Sequence, residues 1–233
     1  MLPAARFFPM GDKALIIKFG DRADPALTLH IAALARQLRE SRPIGVRDVV
    51  PAYTTLALHY DPSAVGSGTT PYEALVASIE PWLKFQSSAA LPAGQLIVIP
   101  VCYGGALGED LPALAQRHNL SDAEVIDIHS AAGYRVALLG FVPGFAYLDG
   151  LDARLSTPRR ETPRAQVPAG SVAIGGSKTG VYPLATPGGW HIIGRTPLHL
   201  FQPDAMPPCL LNVGDTVRFV PISEQEFQAQ ATP

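Results

Sequence analysis

The stretch Ala169–Pro197, AGSVAIGGSKTGVYPLATPGGWHIIGRTP, decides how the second half of the chain is read. Its centre, GGSKTG at Gly175–Gly180, has the look of a phosphate-binding loop. Such a loop needs Gly, four residues, then Gly-Lys-Ser/Thr, with a helix starting behind it so that backbone N–H groups face the phosphates. Gly170 and Gly175 have the right separation, but Gly176-Ser177 follow, and Lys178-Thr179 arrive two residues late. Pro183, Pro187, Gly188 and Gly189 then rule out a helix. The segment therefore reads as short strands, SVAIGG and WHIIGRT, separated by turns.

The glycines still need a reason. Pro158–Arg195 contains seven glycines and five prolines. They serve either as barrel turns or as places where a ligand approaches backbone N–H groups, which form anion-binding concavities without a helix. Charge bears on the choice: Arg159, Arg160, Arg164, Lys178 and Arg195 face one acid, Glu161, in a chain of formal net charge −2. A basic run in apolar, glycine-rich sequence suits a small anionic ligand, and an ordinary solvated basic face has the same composition.

Working outward, YRVALLGF (Tyr134–Phe141), LHLFQ (Leu198–Gln202) and DTVRFVPI (Asp215–Ile222) read as further strands, with no helix expected after Tyr134. NVGDTV, at Asn212–Val217, reads as a tight hairpin turn closing a β-barrel or sandwich. Upstream, QLIVIPVCYG is a strand, and Glu109–Gly133 is a helical pair whose second member is capped by Ser121 with Glu124 three residues on.

QSSAALPAG, Gln86–Gly94, has the composition of an interdomain linker. The residues before it read as a small α+β unit. Two strands flank Gly11-Asp12. A helix starts at Asp24-Pro25 with Leu27, Ile31, Leu34 and Leu38 on one face. Two strands occupy Ile44–Pro62, and a second helix has Thr70 and Glu73 as a capping box, with Pro81 expected to kink or end it. The expected division is residues 1–88 as the α+β domain and 89–233 as the mainly-β domain. His30 and His59 read as a surface and a sheet histidine.

With 47% hydrophobic and 16% charged residues among 233, the composition is that of a globular protein with a real core. The net charge argues against nucleic-acid binding. The apolar runs are too short to span a membrane, and the N-terminus has no signal-peptide pattern, so a cytoplasmic protein is expected. Cys102 and Cys209 are too few for a disulfide framework or a zinc site, and no metal is expected.

LGFVPGFAYLDGLD (Leu139–Asp152), TPRRETPRAQVPAGSVAIGG (Thr157–Gly176) and TGVYPLATPGGWHIIGRTP (Thr179–Pro197) resemble the family named for KipI and for subunit 1 of allophanate hydrolase. That family includes the B subunit of bacterial 5-oxoprolinase, and a related module lies in the carboxyltransferase region of urea carboxylases. The resemblance implies a small α+β domain followed by a cyclophilin-like β-barrel. It implies a non-autonomous subunit of an ATP-dependent 5-oxoprolinase, acting with a subunit-2-type (KipA-like) protein and a LamB/YcsF-type protein, with ATP used by the complex. The alternatives within the resemblance are a KipI-like inhibitor of a sensor histidine kinase and an allophanate hydrolase or urea carboxylase-type subunit. Where the family carries Gln in its Gln-Thr-Gly-hydrophobic-Tyr-Pro motif, this chain has Lys178.

These readings select the candidate residues. His129 ends a capped helix, where it either donates to helix carbonyls or serves a site. His191 and Arg195 are candidates for proton transfer and charge stabilisation, and strand alternation puts them on one face. Arg164, with Arg160 beside it, is the expected anchor for a carboxylate or phosphate; Arg159 shares the same loop. Pro143, Gly144 and Phe145 form a turn in which one of Phe141 and Phe145 lines the cleft. Gly176, Lys178, Thr179, Tyr182 and Trp190 complete the candidate binding surface for a small anionic substrate.

Overall fold

The computed structural model describes residues 5–22, 24–66, 70–84 and 94–231. They fall into two compact units, Met1–Ala93 and Gly94–Pro233. The expected linker lies, Gly94 apart, outside the described residues.

In the first unit β1 (Arg6–Pro9), β2 (Ala14–Lys18), β3 (Val46–Pro51) and β4 (Thr55–Tyr60) form an antiparallel sheet of order β1-β2-β4-β3. Helix α1 (Pro25–Ser41) begins where the Asp24 carboxylate accepts the Leu27 N–H at 2.9 Å, and its Leu27, Ile31, Leu34 and Leu38 are buried. Helix α2 (Pro71–Lys84) starts at the Thr70–Glu73 capping box; Pro81 lies in its last turn and does not end it. Leu15 and Ile17 of β2 and Leu56 and Leu58 of β4, two residues apart on each strand, share one face. Both helices bury their apolar stripes in that cluster through α1 Ile31 and α2 Leu75 and Ile79.

The second unit runs β5 (Leu96–Tyr103), α3 (Leu111–Arg117), α4 (Asp122–Ala131), β6 (Tyr134–Leu139), β7 (Ala146–Asp149), β8 (Arg164–Val167), β9 (Ser171–Gly175), β10 (Lys178–Val181), β11 (Thr186–Gly188), β12 (His191–Arg195), β13 (Thr216–Pro221) and α5 (Glu224–Gln230). Seven strands close a barrel in the order β10-β7-β6-β13-β5-β12-β9, and β8 and β11 pair as a separate ribbon. The expected α+β unit followed by a mainly-β barrel is what forms. Val136, Leu148, Val172, Ile174, Val181, Ile193, Val217 and Phe219 fill the barrel. Every residue of β9 is buried, because its other face carries Ala173 into a second cluster with Val167, Tyr182, Trp190 and Ile192. A strand buried on both faces reads as a continuous apolar run, as SVAIG does.

Three expectations are corrected. LHLFQ is not a strand: Phe201 makes only an isolated bridge to Cys209, and Pro203, Pro207 and Pro208 deprive the segment of ladder donors. NVGDTV is not a hairpin turn. The Asp215 carboxylate takes the N–H groups of Asn212 (2.7 Å) and Gln95 (2.9 Å), and the turn feeds β13 into a parallel pairing with β5, which a tight hairpin does not make. A helix does follow Tyr134: α5, capped reciprocally by Ser223 and Glu226. No helix among the described residues is long and apolar enough to cross a membrane.

Candidate functional site

GGSKTG is the tip of the β9–β10 hairpin. Gly175 pairs with Lys178 across a two-residue turn in which Gly176 takes a left-handed φ of +63°. No helix follows it, so the phosphate-loop geometry is absent here. The flanking glycines make room for an aromatic ring. A Cβ on Gly175 would lie 2.5 Å from Trp190 Cδ2, and one on Gly180 would lie 3.2 Å from Trp190 Cζ3. In the same way Gly188 admits the Tyr182 hydroxyl, 2.3 Å from where its Cβ would stand.

Trp190 so seated belongs to a nest of rings on the outer wall of the barrel. Phe145 is its hub, with ring centroids 4.9 Å from Tyr147, 5.2 Å from Tyr182, 5.5 Å from Trp190 and 5.6 Å from Phe141, all edge to face. Each such pair contributes roughly 0.5–1.5 kcal/mol beyond area burial. The five rings wall a cleft of about 240 Å³, completed by Arg159, Pro163 and the Pro187–Gly189 segment. Phe141 sits at its rim, 59% exposed and with a left-handed φ of +75°, a conformation a bulky side chain adopts only where its surroundings impose it. Burial raises the Tyr182 hydroxyl pKa; the nearby Trp190 backbone N–H and the charges of Arg159 and Arg164 oppose this without overcoming it.

The floor of this cleft is held by the loop before β8. Asp110, the residue preceding α3, accepts Arg160 Nη1 at 3.1 Å and Arg164 Nη2 at 2.8 Å on one oxygen, and the Ile192 N–H at 2.7 Å on the other. Glu109 takes Arg164 Nε at 2.9 Å. The loop is tied again by Arg160 N to Gly189 O (2.8 Å) and by His191, whose Nε2 lies 2.9 Å from the Pro158 carbonyl and therefore carries the proton it donates. Arg159 sits between these ties with its guanidinium carbon 5.8 Å from the Trp190 ring centroid.

Among the residues singled out from the sequence, Phe145, Tyr182 and Trp190 line the cleft. Arg160 and Arg164 stand behind it, committed to Asp110 and Glu109. Lys178 is ion-paired with Asp149 on the neighbouring strand. Thr179 points into the barrel, where its hydroxyl donates to the Ala173 carbonyl at 3.1 Å and faces His129 Nε2 at 2.9 Å. Pro143 is exposed, Gly144 is buried beside Phe201, and Gly176 turns the hairpin; none of the three lines the cleft.

His129 lies away from the cleft altogether. It is 0% exposed, stacked on Phe219 at 4.6 Å, with Tyr103 Oη 2.7 Å from Nδ1. Because the Thr179 hydroxyl spends its proton on Ala173, it accepts from Nε2–H, and Tyr103 then donates to Nδ1. Burial pushes the imidazole down to about 3, so it is a neutral structural group. His191 and Arg195 do not share a face. A bulge between Ile192 and Gly194 sets them opposite Ile174 and Ser171, three residues apart on β9, and alternation there puts them on opposite sides. Sequence reasoning passed over Tyr147 and the Pro163 and Pro187–Gly189 positions, and weighed Arg159 and Phe141 without selecting them. Among the described residues no group of three or more His, Cys, Asp or Glu stands close enough to hold a metal ion.

The model of the family described as carboxyltransferase domain, subdomain C and D, matches residues 5–211. The 5-oxoprolinase B subunit of Bacillus subtilis (strain 168) is 41% identical over 228 residues, covering 94% of this chain and 94% of that one. The 5-oxoprolinase B subunit of Escherichia coli O157:H7 is 41% identical over 221 residues, covering 94% of this chain and 97% of its own. The crystal structure of TTHA0988 superposes with a TM-score of 0.77 at 36% identity; the match covers 91% of this chain and 40% of that longer one.

Proposed function

The chain belongs to the carboxyltransferase-domain family, subdomain C and D, and from that premise we propose that it is the B subunit of a 5-oxoprolinase. One observation carries the reading: 41% identity to curated B subunits, spread over 94% of this chain and over nearly their whole length. The reaction converts 5-oxoproline, ATP and water to glutamate, ADP and phosphate. A lactam carbonyl is a poor electrophile, because the ring nitrogen donates into it. Transfer of the terminal phosphoryl group to the lactam oxygen makes that carbon open to water. The ring C–N bond then breaks with the amine as leaving group, and a second water releases phosphate from the resulting acyl phosphate to give the carboxylate.

This chain supplies part of the machinery. Its glycine-rich hairpin is built to seat Trp190 and not a nucleotide phosphate, so ATP is handled by the assembled complex. The partners are a subunit-2-type (KipA-like) protein and a LamB/YcsF-type protein, and the complex works in the cytoplasm. That the matched region is 40% of the TTHA0988 chain supports a second module acting beside this one.

Co-expression with the two partners, followed by measurement of ATP-dependent glutamate release from 5-oxoproline, tests the reading. The full set is expected to turn over and the purified single chain to be inactive. No glutamate from the complete, assembled set overturns it.

A further inference from the structure

We infer that the aromatic cleft on the barrel wall binds a small cyclic carboxylate, and that Arg159 is the residue that takes its charge. For the ligand's identity, 5-oxoproline, this rests on the 5-oxoprolinase reading; for its class it rests on the cleft itself.

The first argument is which cation is available. Of the five cations between Pro158 and Arg195, Arg160 and Arg164 share Asp110, Arg164 also holds Glu109, and Lys178 holds Asp149. Arg195 lies within the field of Glu109 and is partly buried. Arg159 alone of the five is exposed and has no acidic partner among the described residues, and it is the one cation among the cleft's lining residues. A guanidinium in that position presents its fork to a carboxylate without first giving up an ion pair.

The second argument is shape. A cleft of about 240 Å³ falls below the ~300–1,000 Å³ of sites that take drug-sized ligands, so its occupant is a single small ring. Its walls are ring faces and edges from Phe141, Phe145, Tyr147, Tyr182 and Trp190, which accept a flat or nearly flat ring. The polar side-chain atoms of those five rings are the two tyrosine hydroxyls and the indole N–H. Burial keeps the Tyr182 hydroxyl protonated, so it has a proton to donate to a ring carbonyl.

The third argument is preorganisation. The backbone on both sides of Arg159 is fixed, at Pro158 by His191 and at Arg160 by Gly189, and Asp110 holds the Arg160 guanidinium besides. The guanidinium rests over Trp190. A ligand therefore meets an anchor whose ordering cost has largely been met in folding.

Trp190 reports on the cleft directly, since the chain's only other tryptophan, Trp82, lies in the first unit and is replaced by Phe for the measurement. Emission of the full chain is titrated with 5-oxoproline, with its neutral carboxamide and with acetate. 5-oxoproline is expected to change Trp190 emission saturably, the carboxamide to bind at least about tenfold more weakly, and acetate not to saturate. Arg159→Ala is expected to weaken 5-oxoproline at least about tenfold and Arg159→Lys less. Equal binding of acid and amide, indifference to Arg159→Ala, or no saturable binding overturns the inference. Should Trp82→Phe fail to fold, equilibrium dialysis of labelled 5-oxoproline against the unsubstituted chain gives the same comparison. In the co-expressed complex Arg159→Ala is expected to raise KM at least about tenfold. An unchanged KM there sinks the cleft assignment and leaves the 5-oxoprolinase reading standing. Charge-dependent binding by a chain whose complex never releases glutamate does the reverse.

Discussion

Arg164 donates a 2.8 Å hydrogen bond to Asp110, fifty-four positions earlier in the chain, and the same carboxylate oxygen takes Arg160 at 3.1 Å. One acid thus joins the start of α3, the Ile192 N–H of β12 and the loop that carries Arg159. Burial pushes the Asp110 carboxyl pKa up, but the Arg164 hydrogen bond, the Ile192 N–H and the two guanidinium charges outweigh it and hold the group below its ordinary value.

Asp110→Ala leaves two guanidiniums and a buried backbone N–H without their acceptor. The expected loss is about 3 kcal/mol of stability. Asp110→Asn, which keeps one neutral acceptor for Ile192, is expected to lose less. Urea unfolding of the three proteins gives the comparison, and an Asp110→Ala midpoint equal to the wild type would show that the network carries no stability.

The buried His129 sets a pH dependence whose sign follows from its environment. The folded imidazole stays neutral down to about 3, whereas in the unfolded chain it takes up a proton below its usual value of 6.5. Between those values the unfolded state binds more protons, so stability is full above pH 6.5 and falls as the pH is lowered. The slope is about 1.4 kcal/mol per pH unit for this one group. The double variant His129→Phe, Tyr103→Phe removes the imidazole together with the hydroxyl it would leave unpaired. Its stability curve is expected to be flatter by that amount between about pH 6 and about pH 4. Parallel curves for the two proteins would rule His129 out as the source.

Much of this fold is written in local signals. The Thr70/Glu73 and Ser121/Glu124 boxes and the Asp24-Pro25 start fix helix ends through residues three apart, and period-two alternation exposes the strands. Ser223/Glu226 is the same signal, passed over because α5 buries none of its side chains and so has no apolar stripe to read. What stayed hidden depends on distant pairing. The bulge beside Ile193 reverses the facing of Arg195 relative to His191, and only the register with β9 reveals it. Likewise Arg159, Arg160 and Arg164 look alike in sequence. Which of them is left for a ligand is decided by Asp110 and Glu109, brought next to the loop by closure of the barrel.

The glycines of the opening stretch make separable predictions. Gly175→Ala drives a Cβ to within 2.5 Å of the Trp190 ring, which must move; roughly 2 kcal/mol of destabilisation and a red shift of Trp190 emission are expected. Gly176→Ala meets nothing within 4 Å but forces an L-residue to φ +63°, with an expected cost of about 1–2 kcal/mol and unchanged Trp190 emission. If both variants shift the emission alike, the turn and the indole seat are not independent.

Lys178, the residue that lends GGSKTG its phosphate-loop look, is expected to matter little to ligand binding. Thr179 pairs with Leu148, so Lys178 stands next to Asp149 across the β10–β7 ladder, and the two charges meet there, partly exposed. An ion pair in such a setting contributes about 1 kcal/mol or less. Lys178→Gln removes the charge but keeps an amide that can still donate to Asp149. A stability loss of about 1 kcal/mol or less is therefore expected, with affinity for 5-oxoproline unchanged within about twofold. Asp149→Asn should cost a similar amount, and the double variant should cost less than the sum, because both single changes break the same pair. A Lys178→Gln variant whose affinity or KM shifts tenfold while Asp149→Asn leaves both untouched would mean that the lysine leaves its partner to meet the ligand. That outcome would return the hairpin tip to the site and divide the anion's charge between Lys178 and Arg159.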